Sequence, residues 1–276
     1  MNRLLNLILC LSMLLGLSTP SFGAGLTLRY AFKAGQQWEC TRMSHISFRV
    51  MGQQHTKKDR DTIVYTVSKG PKPDWVCLTA RYTTPADVSD ANPIAAAKYD
   101  LIFSADVHLS GDTRNVAVSG MQARLQDPAL DPQVKTALKQ TYDILEDSLP
   151  AAVFWFPELP EESLQPGDEF EDKRTHRSKS QYMQSKTKSR QSFVLEEVSQ
   201  GLAYFSSRTR HATTMSTMGS KTDQKMSGKG ETIFDLDAGM WVEMTTKSKM
   251  TISGAMMGSD TDQEMVIAEK IRMRQL

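Results

Sequence analysis

Met240-Trp241-Val242-Glu243-Met244-Thr245-Thr246-Lys247-Ser248-Lys249-Met250-Thr251-Ile252 is the stretch on which the reading of this chain turns. Met240, Val242, Met244, Met250 and Ile252 share one parity; Trp241, Glu243, Thr245, Lys247 and Lys249 share the other. A strand points successive side chains to opposite faces, so the pattern predicts one buried and one wet face. Gln263 to Gln275 repeats it, with Met265, Ile267, Ile271 and Met273 inward and Lys270, Arg272 and Arg274 outward. Trp38, Cys40, Ile46, Phe48 and Val50 alternate in the same way, as do Val76, Leu78, Ala80 and Tyr82. Turn-forming clusters separate the runs, among them Met51-Gly52-Gln53-Gln54, Gly70-Pro71-Lys72-Pro73-Asp74 and Ser227-Gly228-Lys229-Gly230. Strands are expected at 38–50, 57–69 and 74–83. A simple meander would set Cys40 level with Val67, and Val67 level with Val76.

One segment reads as helix. Asp131 can cap it, Pro132 suits its first turn, and Val134, Leu138, Tyr142, Leu145 and Leu149 fall on one stripe until Pro150 stops it. A shorter helical piece is expected around Met121 to Gln126. The fold class is therefore α+β, mostly antiparallel β: two β-rich halves forming an open or partly closed half-barrel with one covering helix, residues 131–149. The expected divisions are a signal peptide at 1–23, an N-terminal β-rich half at 24–120, the helix with an aromatic and Pro crossover at 121–165, and a C-terminal β-rich half at 166–276, as one structural unit.

The first residues carry an export signal. Arg3 precedes an apolar run from Leu4 to Leu17, and Ser21 and Gly23 supply the small residues a signal peptidase requires. Cleavage is placed near Gly23, because a cut after Ala24 would leave bulky Phe22 at one of those two positions. The run is shorter than the roughly 20 residues of a spanning helix, so no transmembrane anchor is expected after processing. Localisation is accordingly periplasmic or secreted. Lys and Arg number 33 against 32 Asp and Glu, and loss of Arg3 evens the count. Nucleic-acid binders carry a basic surplus, so that class is excluded. Cys40 and Cys77 survive processing into an oxidising compartment, which favours a disulfide. The meander register opposes one by setting them two strands apart on opposite faces. The sequence leaves the bond open.

An internal repeat accompanies the strands. Lys33-Ala34-Gly35-Gln36-Gln37-Trp38 resembles Gln165-Pro166-Gly167-Asp168-Glu169-Phe170, and Ile102-Phe103-Ser104-Ala105-Asp106 resembles Ile233-Phe234-Asp235-Leu236-Asp237. The opening Leu28-Arg29-Tyr30-Ala31-Phe32-Lys33-Ala34-Gly35-Gln36-Gln37-Trp38, the mid-chain Phe156-Pro157-Glu158-Leu159-Pro160, and the late Gly228-Lys229-Gly230-Glu231-Thr232-Ile233-Phe234-Asp235-Leu236-Asp237-Ala238-Gly239 carry a wider likeness. The chain resembles a family of exported bacterial β-rich proteins of unassigned function. That resemblance implies a β-rich exported fold and no catalytic residue to carry across.

The chemistry-bearing residues do not assemble into a motif. His45, His55, His108, His176 and His211 are scattered, without zinc-site spacing. No Gly-x-Ser-x-Gly elbow and no phosphate-cradling loop occurs. Ser185-Lys186-Thr187-Lys188 matches Ser-x-x-Lys, but within a polar strand lacking a helix start. Sixteen methionines, ten of them at or beyond Met215, invite a copper(I) reading through Met215-x-x-Met218 and Met256-Met257. Met240, Met244, Met250, Met265 and Met273 fall on the apolar parity of their strands, which favours packing by an adaptable side chain. Ten acids between Asp143 and Asp172 adjoin seven Lys and Arg between Lys173 and Arg190, blocks that either steer a charged partner or neutralise one another across a sheet.

No catalytic residue, no metal ligand and no cofactor is expected, and no enzyme. The expected protein belongs to the cell envelope and binds or carries an apolar ligand such as a lipid, with Phe154, Trp155 and Phe156 as candidate ligand-binding residues lining an apolar pocket. The alternative is a structural or interaction module that binds another envelope protein and takes no ligand.

Overall fold

The computed structural model of the chain describes residues 25–50, 53–84, 93–179, 184–217, 220–256, 259–260 and 263–276. The export segment lies outside these. The strands are β1 (Gln37–Val50), β2 (Gln53–Lys69), β3 (Trp75–Tyr82), β4 (Ile102–His108), β5 (Thr113–Ser119), β6 (Glu169–Lys179), β7 (Gln184–Ser199), β8 (Leu202–Thr217), β9 (Ser220–Asp235), β10 (Met240–Met256), β11 (Ser259–Asp260) and β12 (Gln263–Gln275). The helices are α1 (Pro93–Asp100), α2 (Met121–Leu125) and α3 (Pro132–Val153). One antiparallel sheet runs β5-β4-β3-β2-β1-β12-β10-β9-β8-β7-β6, and the short β11 pairs β10 alone. The sheet does not close: β5 and β6 are its edges. Two consecutive meanders thus meet where the first strand pairs the last long one, from Trp38↔Gln275 to Phe48↔Met265.

The registers depart from the expected ones. Cys40 lies opposite Ile63 rather than Val67, because β2 starts at Gln53 and the ladder closes on Val50↔Gln53. Val67 lies opposite Leu78 rather than Val76. Both shifts are even, so every side chain keeps its expected face. Cys40 is buried in the core, Cys77 pairs Ser68 on the far side, and both thiols are free.

Within β10 the expected parity fails. Trp241 pairs Phe234, Glu243 pairs Ile233, and Val242 is the extra residue of a β-bulge between them. A bulge reverses the alternation on its strand. Trp241, expected on the wet face, is therefore fully buried beside Phe234, while Met244 resumes the inward series.

α3 begins as expected, with the Asp131 carboxylate accepting from the Gln133 N–H at 2.7 Å. Leu138 and Tyr142 are fully buried on its apolar stripe. Pro150 does not stop it. The missing N–H at Pro150 costs one bond in the last turn, and the Phe154 N–H still donates to the Pro150 carbonyl at 2.8 Å. α3 contacts both edge strands, β5 and β6, and packs on α1.

The two repeat segments form the same turn. Gly35 and Gly167 adopt φ of +90° and +95°, conformations that glycine enters without a Cβ penalty. The Gly35 N–H donates to the Val67 carbonyl, and the Val67 N–H to that of Gln36. The Gly167 N–H donates to the Leu195 carbonyl, and the Leu195 N–H to that of Asp168. Each turn delivers the chain into the first strand of its meander.

The core is one contiguous cluster drawing Trp38, Tyr65, Leu78 and Phe103 from one meander and Phe193, Phe205, Phe234 and Trp241 from the other. The segment before β1 adds Leu28, Tyr30 and Phe32, and the connection after α3 adds Phe154, Phe156 and Leu159.

Candidate functional site: the aromatic connection and the inner sheet face

The three aromatics expected to line a pocket sit as follows. Phe154 and Phe156 are buried, and Trp155 is half-buried and stacked on Phe156 at 5.5 Å between ring centroids. Phe156 meets Tyr30, Phe32 and Tyr65 edge-on at 5.8, 5.6 and 5.6 Å. The connection has no backbone partner strand here, so side chains satisfy its carbonyls. Tyr65 Oη donates to the Val153 carbonyl at 2.7 Å, Arg174 to those of Phe154 and Phe156, and Tyr30 Oη to that of Pro157 at 2.9 Å. Arg174 is held in turn by Asp172 at 2.9 Å. The indole N–H of Trp155 is buried without a hydrogen-bond partner. Burial pushes the Cys40 thiol up to about 12, so it is protonated and unreactive at neutral pH.

Beyond this core the long strands continue, and their inward side chains form two successive zones. The first is polar. Arg42 on β1 pairs Glu269 on β12, and Lys98 on α1 pairs Asp61 on β2 at 2.5 Å while lying over the rings of Tyr82 and Tyr99. Thr209 on β8 and Ser248 on β10 are buried on either side of Gly228 of β9, and Ser248 in turn pairs Ile267 of β12. The second zone is apolar. Phe48, Met265, Met250 and Met226 are consecutive cross-strand neighbours on β1, β12, β10 and β9, and Ile46 faces Ile267 one step deeper. These six are half-exposed. His211 on β8 faces Met226 and ends the row. Burial holds its pKa below the usual value, against the opposing pull of Glu269, so it is neutral at pH 7.

Parity had placed Ile46, Phe48, Met250, Met265 and Ile267 inward, whereas their alignment in one lane follows from register, which parity does not carry. Met226 stands in a polar run, Gln224-Lys225-Met226-Ser227-Gly228, whose inward residues are too mixed to show a face. Of the methionines in the copper(I) motifs, Met218 and Met257 lie outside the described residues. Among the described residues no cluster of His, Cys, Asp and Glu is arranged to hold a metal ion, and no helix is long and apolar enough to cross a membrane.

Neither a family model nor a curated protein sequence matches the chain. Among solved structures it is similar to Ail, the attachment invasion locus protein of Yersinia pestis, at 6% identity over 88% of this chain and 100% of that one, with a TM-score of 0.20. OccK8 (OprE) of Pseudomonas aeruginosa aligns at 8% identity over 92% and 100%, TM-score 0.23. Neisserial surface protein A aligns at 5% over 86% and 96%, TM-score 0.19. Scores this low carry no argument about fold or function.

Proposed function

We propose that the chain is an exported, non-enzymatic protein of the cell envelope that binds or carries an apolar ligand such as a lipid on its inner sheet face. In this reading the two meanders form a half-barrel with α3 over one end, and the ligand lies along the lane of Phe48, Met265, Met250 and Met226. The observation that carries it is the register of that row: four apolar side chains adjacent on four neighbouring strands, half-exposed and apart from the packed core. Contiguous apolar surface of this kind marks a binding surface, and thioethers adapt to flexible chains. The aromatic connection supports the lane's closed end rather than contacting the ligand.

The test is native mass spectrometry of protein purified from its own host, together with titration of an environment-sensitive apolar dye. A co-purifying lipid and saturable dye binding are expected, and Met250→Glu is expected to weaken dye binding at least tenfold with the circular dichroism unchanged. Neither a bound lipid nor saturable binding in the wild type would end this reading.

A further inference from the structure

The face opposite the core carries cations that the inner lane leaves unused. β8, β9 and β10 turn Arg208, Arg210, Lys229, Lys247 and Lys249 outward, all exposed. The ladders set like charges directly against one another: Arg208 faces Lys229, Lys229 faces Lys247, and Arg210 faces Arg190 on β7. Opposed residues on neighbouring strands stand about 4.5–5.5 Å apart at Cβ, and like charges there destabilise a sheet. Glu171 partners Arg190 and Glu264 partners Lys249, whereas among the described residues Arg208, Arg210, Lys229 and Lys247 form no ion pair. The acidic and basic blocks pair on β6 and β7, Glu171 with Lys173 and Arg190 and Asp172 with Arg174, whereas these four cations lie outside them. Over the whole sequence the net charge is only +1, so the clustering is local.

The five cations, with Ser227 and Gly228 between them, line a basin of about 570 Å³. Val266, an exposed apolar side chain, stands at its margin. A separate basin of about 400 Å³ on β7 to β10 is lined instead by Glu196, Glu231 and Glu243, so the two charge signs are segregated along the face.

We propose that the basic part of this face docks the protein on an anionic phospholipid bilayer, lipid phosphates occupying the basin. The cations form a two-dimensional array across three adjacent strands, which matches a charged surface. A linear polyanion would need a single track. An exposed apolar residue at the margin of the cations, Val266, is suited to the interfacial region of a bilayer. The destabilising adjacency of Arg208, Lys229 and Lys247 is relieved by the bound anions. No residue is shared with the inner lane, so docking and ligand binding fail independently.

Co-sedimentation of the processed protein with vesicles of phosphatidylcholine, alone or mixed with phosphatidylglycerol, tests this. Binding is expected only to the anionic vesicles, and about 0.5 M salt should release it, since screening there acts within a few ångströms. Lys229→Glu converts two like-charge contacts into opposite ones. It should raise the melting temperature while lowering vesicle affinity at least tenfold, whereas Met250→Glu should leave vesicle binding unchanged. Equal binding to neutral vesicles, or Lys229→Glu binding as well as wild type, overturns the proposal. Displacement by inorganic phosphate beyond that by chloride at equal ionic strength would also overturn it, in favour of a soluble-phosphate site. Capture by heparin without any vesicle binding would overturn it in favour of a polysaccharide partner.

Discussion

Tyr30 joins several parts of the interior through one side chain. Its hydroxyl donates to the Pro157 carbonyl and accepts from Trp241 Nε1, both at 2.9 Å, and its ring stacks on Phe32 and meets Phe234. Full burial raises the phenol pKa well above its usual value, which keeps the donor in place at every accessible pH. Tyr30→Phe leaves the ring packing intact and strands one buried carbonyl and one buried N–H. The expected cost is about 1–3 kcal/mol, read as a lower denaturant midpoint at unchanged slope. His211 makes a different prediction. Its native pKa lies below the roughly 6.5 of an unfolded histidine, so the unfolded chain takes up the proton first. Its contribution is complete above about pH 6.5 and is lost as pH falls from there through the native pKa. His211→Gln should flatten that part of the melting-temperature profile; an unchanged slope would show that another group sets it.

Among the elements, β9 depends on its glycines for a reason of contact rather than turn geometry. A Cβ on Gly230 would stand 2.0 Å from the Thr245 carbonyl of β10. Neither of those backbone segments can yield without breaking the ladder from Phe234 to Thr222, so Gly230→Ala should cost about 1–3 kcal/mol, measured by thermal unfolding. The same strand shows why some elements were legible and others were not. Alternation revealed β10 and β12 because one face of each is buried, and the Asp131-Pro132 start revealed α3. Register was not legible: it is fixed by how the β1–β2 ladder closes at Val50↔Gln53, and alternation is blind to an even shift. The Trp241 orientation was missed because one extra residue at Val242 reverses parity without any compositional mark. α1 was missed although Asn92-Pro93-Ile94-Ala95-Ala96-Ala97 offers a first-turn proline and alanines, since eight residues carry little periodicity. For the candidate site, the aromatic run was visible as composition, but its burial is decided by Tyr65, Arg174 and Tyr30, residues distant in sequence.

At the level of the whole molecule, the seam between β1 and β12 and the aromatic chain behind it bind the two meanders into one unit. Tyr65 of β2 touches Phe156, Phe156 touches Tyr30, Tyr30 bonds Trp241, Trp241 stacks on Phe193, and Phe193 stacks on Phe170 of β6. This path crosses from one meander to the other through the connection and the segment preceding β1, so loosening one end withdraws contacts from the other. Phe193→Ala removes a fully buried ring held at 4.9 Å from Phe170 and 5.2 Å from Trp241, an expected loss of about 3–5 kcal/mol. Native-state hydrogen exchange distinguishes a shared core from two adjoining ones. With a shared core, the amides of Ile63 and Tyr65 on β2 lose protection as much as those of β7 and β8, because all exchange through the same global opening. Protection lost in β6 to β10 alone, with β2 and β3 unaffected, would mean that each meander is stable by itself and that the β1–β12 ladder merely abuts them.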